Sequence, residues 1–240
     1  MEQQQQQQYQ KPEIPAETAE RLRSSRQVLY DTAKKTQNDF VNTFAGWAET
    51  YDRDIELLGG QVWRYIVERV TKHVPDKKAR ILDFCGGTGA VGDRLAALGY
   101  SHLELSDGSQ EMLDKAAGRR IYRKLYREVV ERQERSKFID DNIRSDALFD
   151  MIVVSECVCE FRTVTEQLAL EAVKPGGFLL IVESVPHVED SRLQLDGIRW
   201  LEKAASIGVD GLRLVEKRTD LVYDLYNKEE AFLLLVQRLP

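Results

Sequence analysis

The chain has little of what would tie it to a membrane, a metal or an oxidising compartment. Its longest uninterrupted apolar run, Ala231 to Val236, is far too short to cross a bilayer, which takes about 20 apolar residues. No charged head followed by an apolar stretch opens the sequence, so no secretory signal is expected. Cysteine is scarce: Cys85, Cys157 and Cys159 are the only three, two of them a single residue apart. They suggest no disulfide framework and suit a reducing compartment. No further Cys or nearby His completes a ligand set around Cys157-x-Cys159, so no metal is expected. Positive charge is in deficit, with 34 Lys and Arg against 40 Asp and Glu, a net charge of −6. That balance disfavours broad, charge-driven nucleic-acid binding, and a cytoplasmic protein is expected.

What remains is ordinary for one globular domain with extensions: 240 residues, 42% hydrophobic and 31% charged. The glutamine run Gln3–Gln8, followed by Pro12 and Pro15, marks residues 1–20 as a disordered tail. Residues 21–78 read as an N-terminal helical cap. Apolar residues recur at loosely helical spacing from Leu22 to Trp47, and a second helix starts at Ile55 or Gln61 and runs to His73, ahead of Pro75. Residues 79–240 form the core. Strands are predicted at Ala79–Phe84, His102–Ser106, near Lys124–Val130, at Phe149–Ser155 and at Gly177–Ser184, with helices at Val91–Leu98, Ser109–Ala117 and Val164–Val173 between them. Such alternation predicts a parallel sheet covered on both faces. After Pro186 the pattern changes to one helix, Val188–Ile207, and two strands, Leu212–Leu225 and Ala231–Arg238, short-looped and hence antiparallel.

Chemistry concentrates in Ile81-Leu82-Asp83-Phe84-Cys85-Gly86-Gly87-Thr88-Gly89. A buried strand ends near an acidic residue and turns through glycines into a helix, whose free amides and positive dipole end face whatever binds there. Gly87-Thr88-Gly89-Ala90-Val91-Gly92 satisfies the dinucleotide pattern literally, with Asp107 at a plausible distance. Three features oppose a dinucleotide. Asp83 suits a ligand's ammonium better than a pyrophosphate. A long helical stretch precedes the motif, and the terminal hairpin stands where a dinucleotide domain would continue in parallel.

Four separated blocks carry a resemblance. They are Leu82–Gly89, Ser106-Asp107-Gly108-Ser109-Gln110-Glu111-Met112-Leu113, Phe149-Asp150-Met151-Ile152-Val153-Val154 and Val173-Lys174-Pro175-Gly176-Gly177-Phe178-Leu179-Leu180-Ile181. In order and spacing they resemble the class I S-adenosylmethionine-dependent methyltransferases. Trp47-Ala48-Glu49-Thr50-Tyr51-Asp52 and Tyr122-Arg123-Lys124-Leu125 most resemble the methyltransferase-like proteins of the Williams–Beuren-region group. The resemblance implies an α/β, Rossmann-like, mostly parallel seven-stranded sheet with helices on both faces and a C-terminal antiparallel hairpin. It implies S-adenosyl-L-methionine as cofactor. Gly86, Gly87 and Gly89 would lie against its methionine portion, Asp83 would attract the ammonium, and Asp107 would accept from both ribose hydroxyls. Tyr51, Gly108, Met112 and Ser155 complete the implied cofactor set, although Met112 also reads as core of the next helix. Cys85 stands where the family has its first glycine and reads as a packing residue near the cofactor. Glu128 and Glu131 compete for the acidic position after the third strand.

Methyl transfer from a sulfonium is an in-line displacement in which positioning does much of the work. A base is needed only where the acceptor must lose a proton. Glu156 and His187 are the candidates by position; their plainer roles are a cofactor-orienting or loop carboxylate and a surface residue beside Pro186. Trp47, Tyr51 and Trp200 are candidates for the acceptor side, Tyr51 first among them. No Asp/Asn-Pro-Pro-aromatic segment follows the fourth strand, which lowers base and glutamine amines as acceptors. A small-molecule acceptor is expected, ahead of protein or RNA and of a non-catalytic cofactor-binding protein.

Overall fold

The computed structural model describes residues 14, 16, 19–20, 37–130, 134–143, 148–155, 157, 162–184, 196–224 and 229–240. Glu131, Glu156, Cys159 and His187 lie outside them, as do the glutamine run, residues 21–36 and 188–195, and most of the loop between the last two strands.

Three helices lead in: α1 (Gln37–Trp47), α2 (Tyr51–Leu57) and α3 (Val62–His73). Next come β1 (Ile81–Phe84), α4 (Ala90–Ala97), β2 (Leu103–Asp107), α5 (Gln110–Gly118) and β3 (Tyr122–Arg127). The second half holds α6 (Lys137–Asn142), β4 (Phe149–Ser155), α7 (Arg162–Gln167, running into a π-turn at Leu168–Ala172) and β5 (Val173–Ser184). It closes with α8 (Asp196–Ile207), β6 (Leu212–Asp224) and β7 (Glu229–Arg238).

The strands form one seven-stranded sheet in the order β3-β2-β1-β4-β5-β7-β6. β1 pairs in parallel with β2 and β4, β4 with β5 and β2 with β3, whereas β7 is antiparallel to both β5 and β6. The seven-stranded, mostly parallel sheet with its terminal antiparallel hairpin is the expected one.

Alternation along the strands divides the core. Leu82, Phe84, Ile152, Val154, Leu179 and Ile181 face the layer that holds α7 and α8. Ile81, Met151, Val153, Leu180 and Val182 face the other, where Ile66 and Val70 of α3 and Leu95 of α4 cover them. Asp83, two residues on from Ile81, therefore points to the α3–α4 side.

The predicted third strand is displaced, running over 122–127 rather than 124–130. It is an exposed edge strand of sequence Tyr-Arg-Lys-Leu-Tyr-Arg, and its charged positions hide the alternation. α6 was not expected at all. Its N-terminus is capped by Ser136, whose Oγ accepts from the Ile139 amide at 3.1 Å.

Candidate functional site

The carboxyl ends of β1 to β4 meet along one edge of the sheet, the place where open α/β sheets bind ligands. Asp83 is buried there at 4% exposure. Tyr122 Oη donates to its Oδ2 at 3.0 Å, while its Oδ1 has no partner among the described residues. Burial pushes this carboxyl up to about 7, and the charge of Asp107 adds to the rise; bonds from Tyr122 and the Gly92 amide oppose it.

The turn after β1 takes left-handed backbone at Cys85 (φ 57°), Gly87 (φ 56°) and Gly89 (φ 80°). Cys85 pays the steric cost that glycine avoids in that region. Gly86 is required for a different reason: a Cβ there would lie 2.6 Å from both Asp83 Cγ and a Leu105 methyl. Gly89 is the residue from which α4 starts.

Asp107 ends β2 with both oxygens already braced. The Gly87 amide donates to Oδ2 and the Ser109 amide to Oδ1, each at 2.9 Å. A carboxylate has about four lone-pair sites, so capacity for a further donor remains. Burial raises this carboxyl too, against the pull of the backbone amides. Gly108 is crowded: a Cβ would meet a Val41 methyl of α1 at 3.0 Å and the Glu128 carbonyl at 3.2 Å. Met112 is buried beneath the turn, its Sδ 3.9 Å from where a Cβ on Gly87 would stand. Ser155 is the last residue of β4, half-buried and paired with Val182.

Past the end of β3, Glu128 has two different oxygens. Oε1 accepts from Ser136 Oγ at 2.7 Å and the Phe138 amide at 3.0 Å, holding α6; Oε2 is buried without a partner among the described residues. Burial again raises the carboxyl.

From the N-terminal side, Asp52 of α2 accepts from Thr88 Oγ1 and from Arg119, whose Nε also donates to the Thr88 carbonyl at 2.7 Å. Tyr51 is half-buried with its ring edge-on to Trp47, centroids 4.8 Å apart. Trp47 is itself core, its Nε1 donating to the buried Asp54 Oδ2 at 2.9 Å. Trp200 packs against the main core and borders a shallow groove with Arg162, Arg199 and Lys203, none of them at the strand ends.

The expectation of unpaired cysteines is corrected: a disulfide joins Cys85 to Cys157, with Cα atoms 6.2 Å apart. Because β1 and β4 are adjacent, their carboxyl ends bring together residues 72 apart in sequence. Tyr122, Thr88, Asp52 and Asp54 were also missed as site-building residues. The one signal for Tyr122 was Gly92, a glycine inside a helix with no turn to explain it. Among the described residues no His/Cys/Asp/Glu group suits a metal, and no helix is long and apolar enough to cross a membrane.

Comparison with known proteins agrees with this geometry. A family profile described as a methyltransferase domain matches residues 51–213. Human methyltransferase-like protein 27 is 37% identical over 81 residues, a stretch that spans only a third (33%) of each chain. Among solved structures, a chain from the complex of the Haloferax volcanii Trm112 methyltransferase activator with a methyltransferase superposes with a TM-score of 0.61 at 16% identity, over 82% of this chain and 98% of that one. The DhpI–SAH complex gives 0.53 at 15% identity, over 83% and 95%. The N-methyltransferase NodS of Bradyrhizobium japonicum gives 0.51 at 18%, over 74% and 96%. At such identities these likenesses speak for the fold alone.

Proposed function

We propose that the chain, which belongs to the methyltransferase domain family, is a methyltransferase that uses S-adenosyl-L-methionine to methylate a small-molecule acceptor. The observation that carries this is Oδ1 of Asp83, buried beside the glycine turn without a partner among the described residues. A buried carboxylate oxygen left without a donor costs free energy unless a ligand supplies one, and an ammonium is the donor that suits it. A pyrophosphate beside the same carboxylate would be repelled, which sets the dinucleotide alternative aside.

The other residues fit the same ligand. The positive end of α4, opening at Gly89, favours the carboxylate of an amino acid. The remaining capacity of Asp107 suits a ribose hydroxyl, and Glu128 Oε2 suits the exocyclic amine of adenine. Tyr51, Cys85, Gly86, Gly87, Gly108, Met112 and Ser155 complete the proposed shell. When bound, the cofactor supplies an electrophilic methyl on a sulfonium. The chain's own task is to hold the acceptor in line with that methyl and exclude water. Glu156 and His187 are the proposed bases for an acceptor that must lose a proton. In this reading α1 and α2 cap the cofactor site, α3 belongs with residues 79–240 to the core, and the protein works in the cytoplasm.

Net charge of −6 and the missing Asp/Asn-Pro-Pro-aromatic segment favour a small acceptor over RNA or protein. The Trp47–Asp52 and Tyr122–Leu125 segments support placing the chain near the Williams–Beuren-region group of methyltransferase-like proteins. Calorimetric titration with S-adenosylmethionine and with NAD tests the cofactor: binding of the first alone, lost in Asp107→Ala, is expected. Absence of affinity for the first would end the proposal. Incubating the protein and radiolabelled cofactor with cell extract then shows whether label enters metabolites, protein or RNA.

A further inference from the structure

Tyr122 opens an edge strand whose next two residues, Arg123 and Lys124, are exposed, yet its own ring turns inward beneath α4. Two glycines make room for it. A Cβ on Gly89 would stand 2.7 Å from the ring, and one on Gly92 would stand 2.1 Å from the hydroxyl oxygen. The literal dinucleotide pattern over 87–92 is thus in part a seat for a tyrosine. From that seat the hydroxyl donates to Asp83 Oδ2 at 3.0 Å and lies 3.2 Å from the Gly89 carbonyl. The carboxylate is the stronger acceptor of its single proton.

We propose that Tyr122 is a positioning residue for the cofactor: its hydroxyl occupies one oxygen of Asp83 and fixes the carboxylate so that the other is presented, ionised, to the ligand's ammonium. The inference rests on the cofactor proposed above. Asp83 faces an unfavourable setting for charge. Asp107 approaches from β2 with the same sign, and burial removes water. The groups that favour the ionised form are Tyr122 from β3 and the Gly92 amide from α4. Arg119 acts at one remove, on Tyr122. Without the hydroxyl the carboxyl holds its proton to higher pH, and a neutral acid pairs poorly with an ammonium.

The test is calorimetric affinity for S-adenosylhomocysteine, which lacks the sulfonium and keeps its ammonium charged over the range, from roughly pH 6 to pH 8.5 in the full chain. Wild-type affinity is expected to rise through about pH 7 and then level off. In Tyr122→Phe the rising limb moves up by about one unit, weakening affinity at pH 7 roughly fivefold with recovery at high pH. A site-specific difluorotyrosine in place of Tyr122, a stronger donor of nearly the same shape, moves the limb down and needs no loss of packing. Asp83→Asn removes the limb. A purely structural tyrosine would weaken binding equally at every pH, and that result, or an unmoved limb in both variants, overturns the inference while leaving the cofactor in place. No wild-type affinity at any pH overturns the cofactor reading and this inference with it.

Discussion

Asp52 and Thr88 join the helix that precedes the sheet to the glycine turn within it, the threonine hydroxyl donating to the carboxylate. Arg119 closes the triangle by donating to both Asp52 and the Thr88 carbonyl. α2 is thereby tied to the turn of the candidate site. Asp52 is half exposed, at 49%, so the pair contributes at most about 1 kcal/mol to global stability. Asp52→Ala is accordingly expected to leave the thermal midpoint nearly unchanged while amides of residues 51–57 exchange faster with deuterium. Unchanged exchange over α2 would show that the helix is held by its apolar contacts alone.

Asp83→Asn separates stability from binding. The folded-state carboxyl is raised to about 7 from 3.8, so its contribution to stability is present below the lower value and is lost as pH rises through about 7. Three units correspond to an order of magnitude of about 4 kcal/mol. An amide does not titrate. The ligand-free variant should therefore match wild type near pH 4 and be several kcal/mol more stable at pH 8, while its affinity for cofactor is lost. Urea midpoints at the two pH values check the first half, since equal slopes of stability against pH in both proteins would contradict it.

Glu128→Gln keeps the oxygen that caps α6 and turns the unpartnered one into an amide donor. Facing an adenine amine, two donors meet, and one buried hydrogen bond is lost at a cost of about 1–3 kcal/mol. Affinity for S-adenosylhomocysteine should fall roughly 5- to 150-fold. S-inosylhomocysteine, which carries a carbonyl in place of the amine, should gain in the same variant. Equal losses for both ligands would place Glu128 away from the base.

Legibility in the sequence followed burial. β1, β4 and β5 are covered on both faces, so Met151–Val154 and Leu179–Val182 read as continuous apolar runs and Ile81–Phe84 as one broken only by Asp83. Asp83, the glycine turn and Asp107 were legible because strand, turn and helix are contiguous there. β3 was misplaced because an exposed edge strand has charged side chains at alternating and adjacent positions alike. α6 is six residues long, and only its serine cap announces it. The bonds of Tyr122 to Asp83 and of Cys85 to Cys157 span 39 and 72 residues. They exist because the strand order places β1 between β2 and β4, which no local pattern encodes.

The Cys85–Cys157 bond closes a loop of 72 residues across the carboxyl ends of β1 and β4. Chain-entropy bookkeeping gives roughly 4 kcal/mol for a loop of that length, relative to the reduced chain. Reduction should lower the thermal midpoint, and Cys157→Ser under oxidising conditions should melt like reduced wild type. Alkylation should find one thiol, Cys159, before reduction and three after it. Three reactive thiols in unreduced protein would show the pair to be open.

Gly92→Ala tests the seat of Tyr122 without reference to any ligand. Inside a helix, alanine is favoured over glycine by about 1 kcal/mol, so propensity alone predicts stabilisation. Packing predicts the reverse, because the added methyl would stand 2.1 Å from Tyr122 Oη and 2.5 Å from Cζ. Both are atoms of a rigid ring held beneath α4 rather than the end of a flexible chain. Overpacking of this kind costs about 1–3 kcal/mol, which outweighs the propensity gain, and Gly92→Ala should destabilise. The sign should change once the ring is gone: in a Tyr122→Ala background the same methyl enters vacated space. A double-mutant cycle by urea unfolding reads the difference as a coupling between the two positions. Additive effects would mean that the glycine answers to something other than the tyrosine.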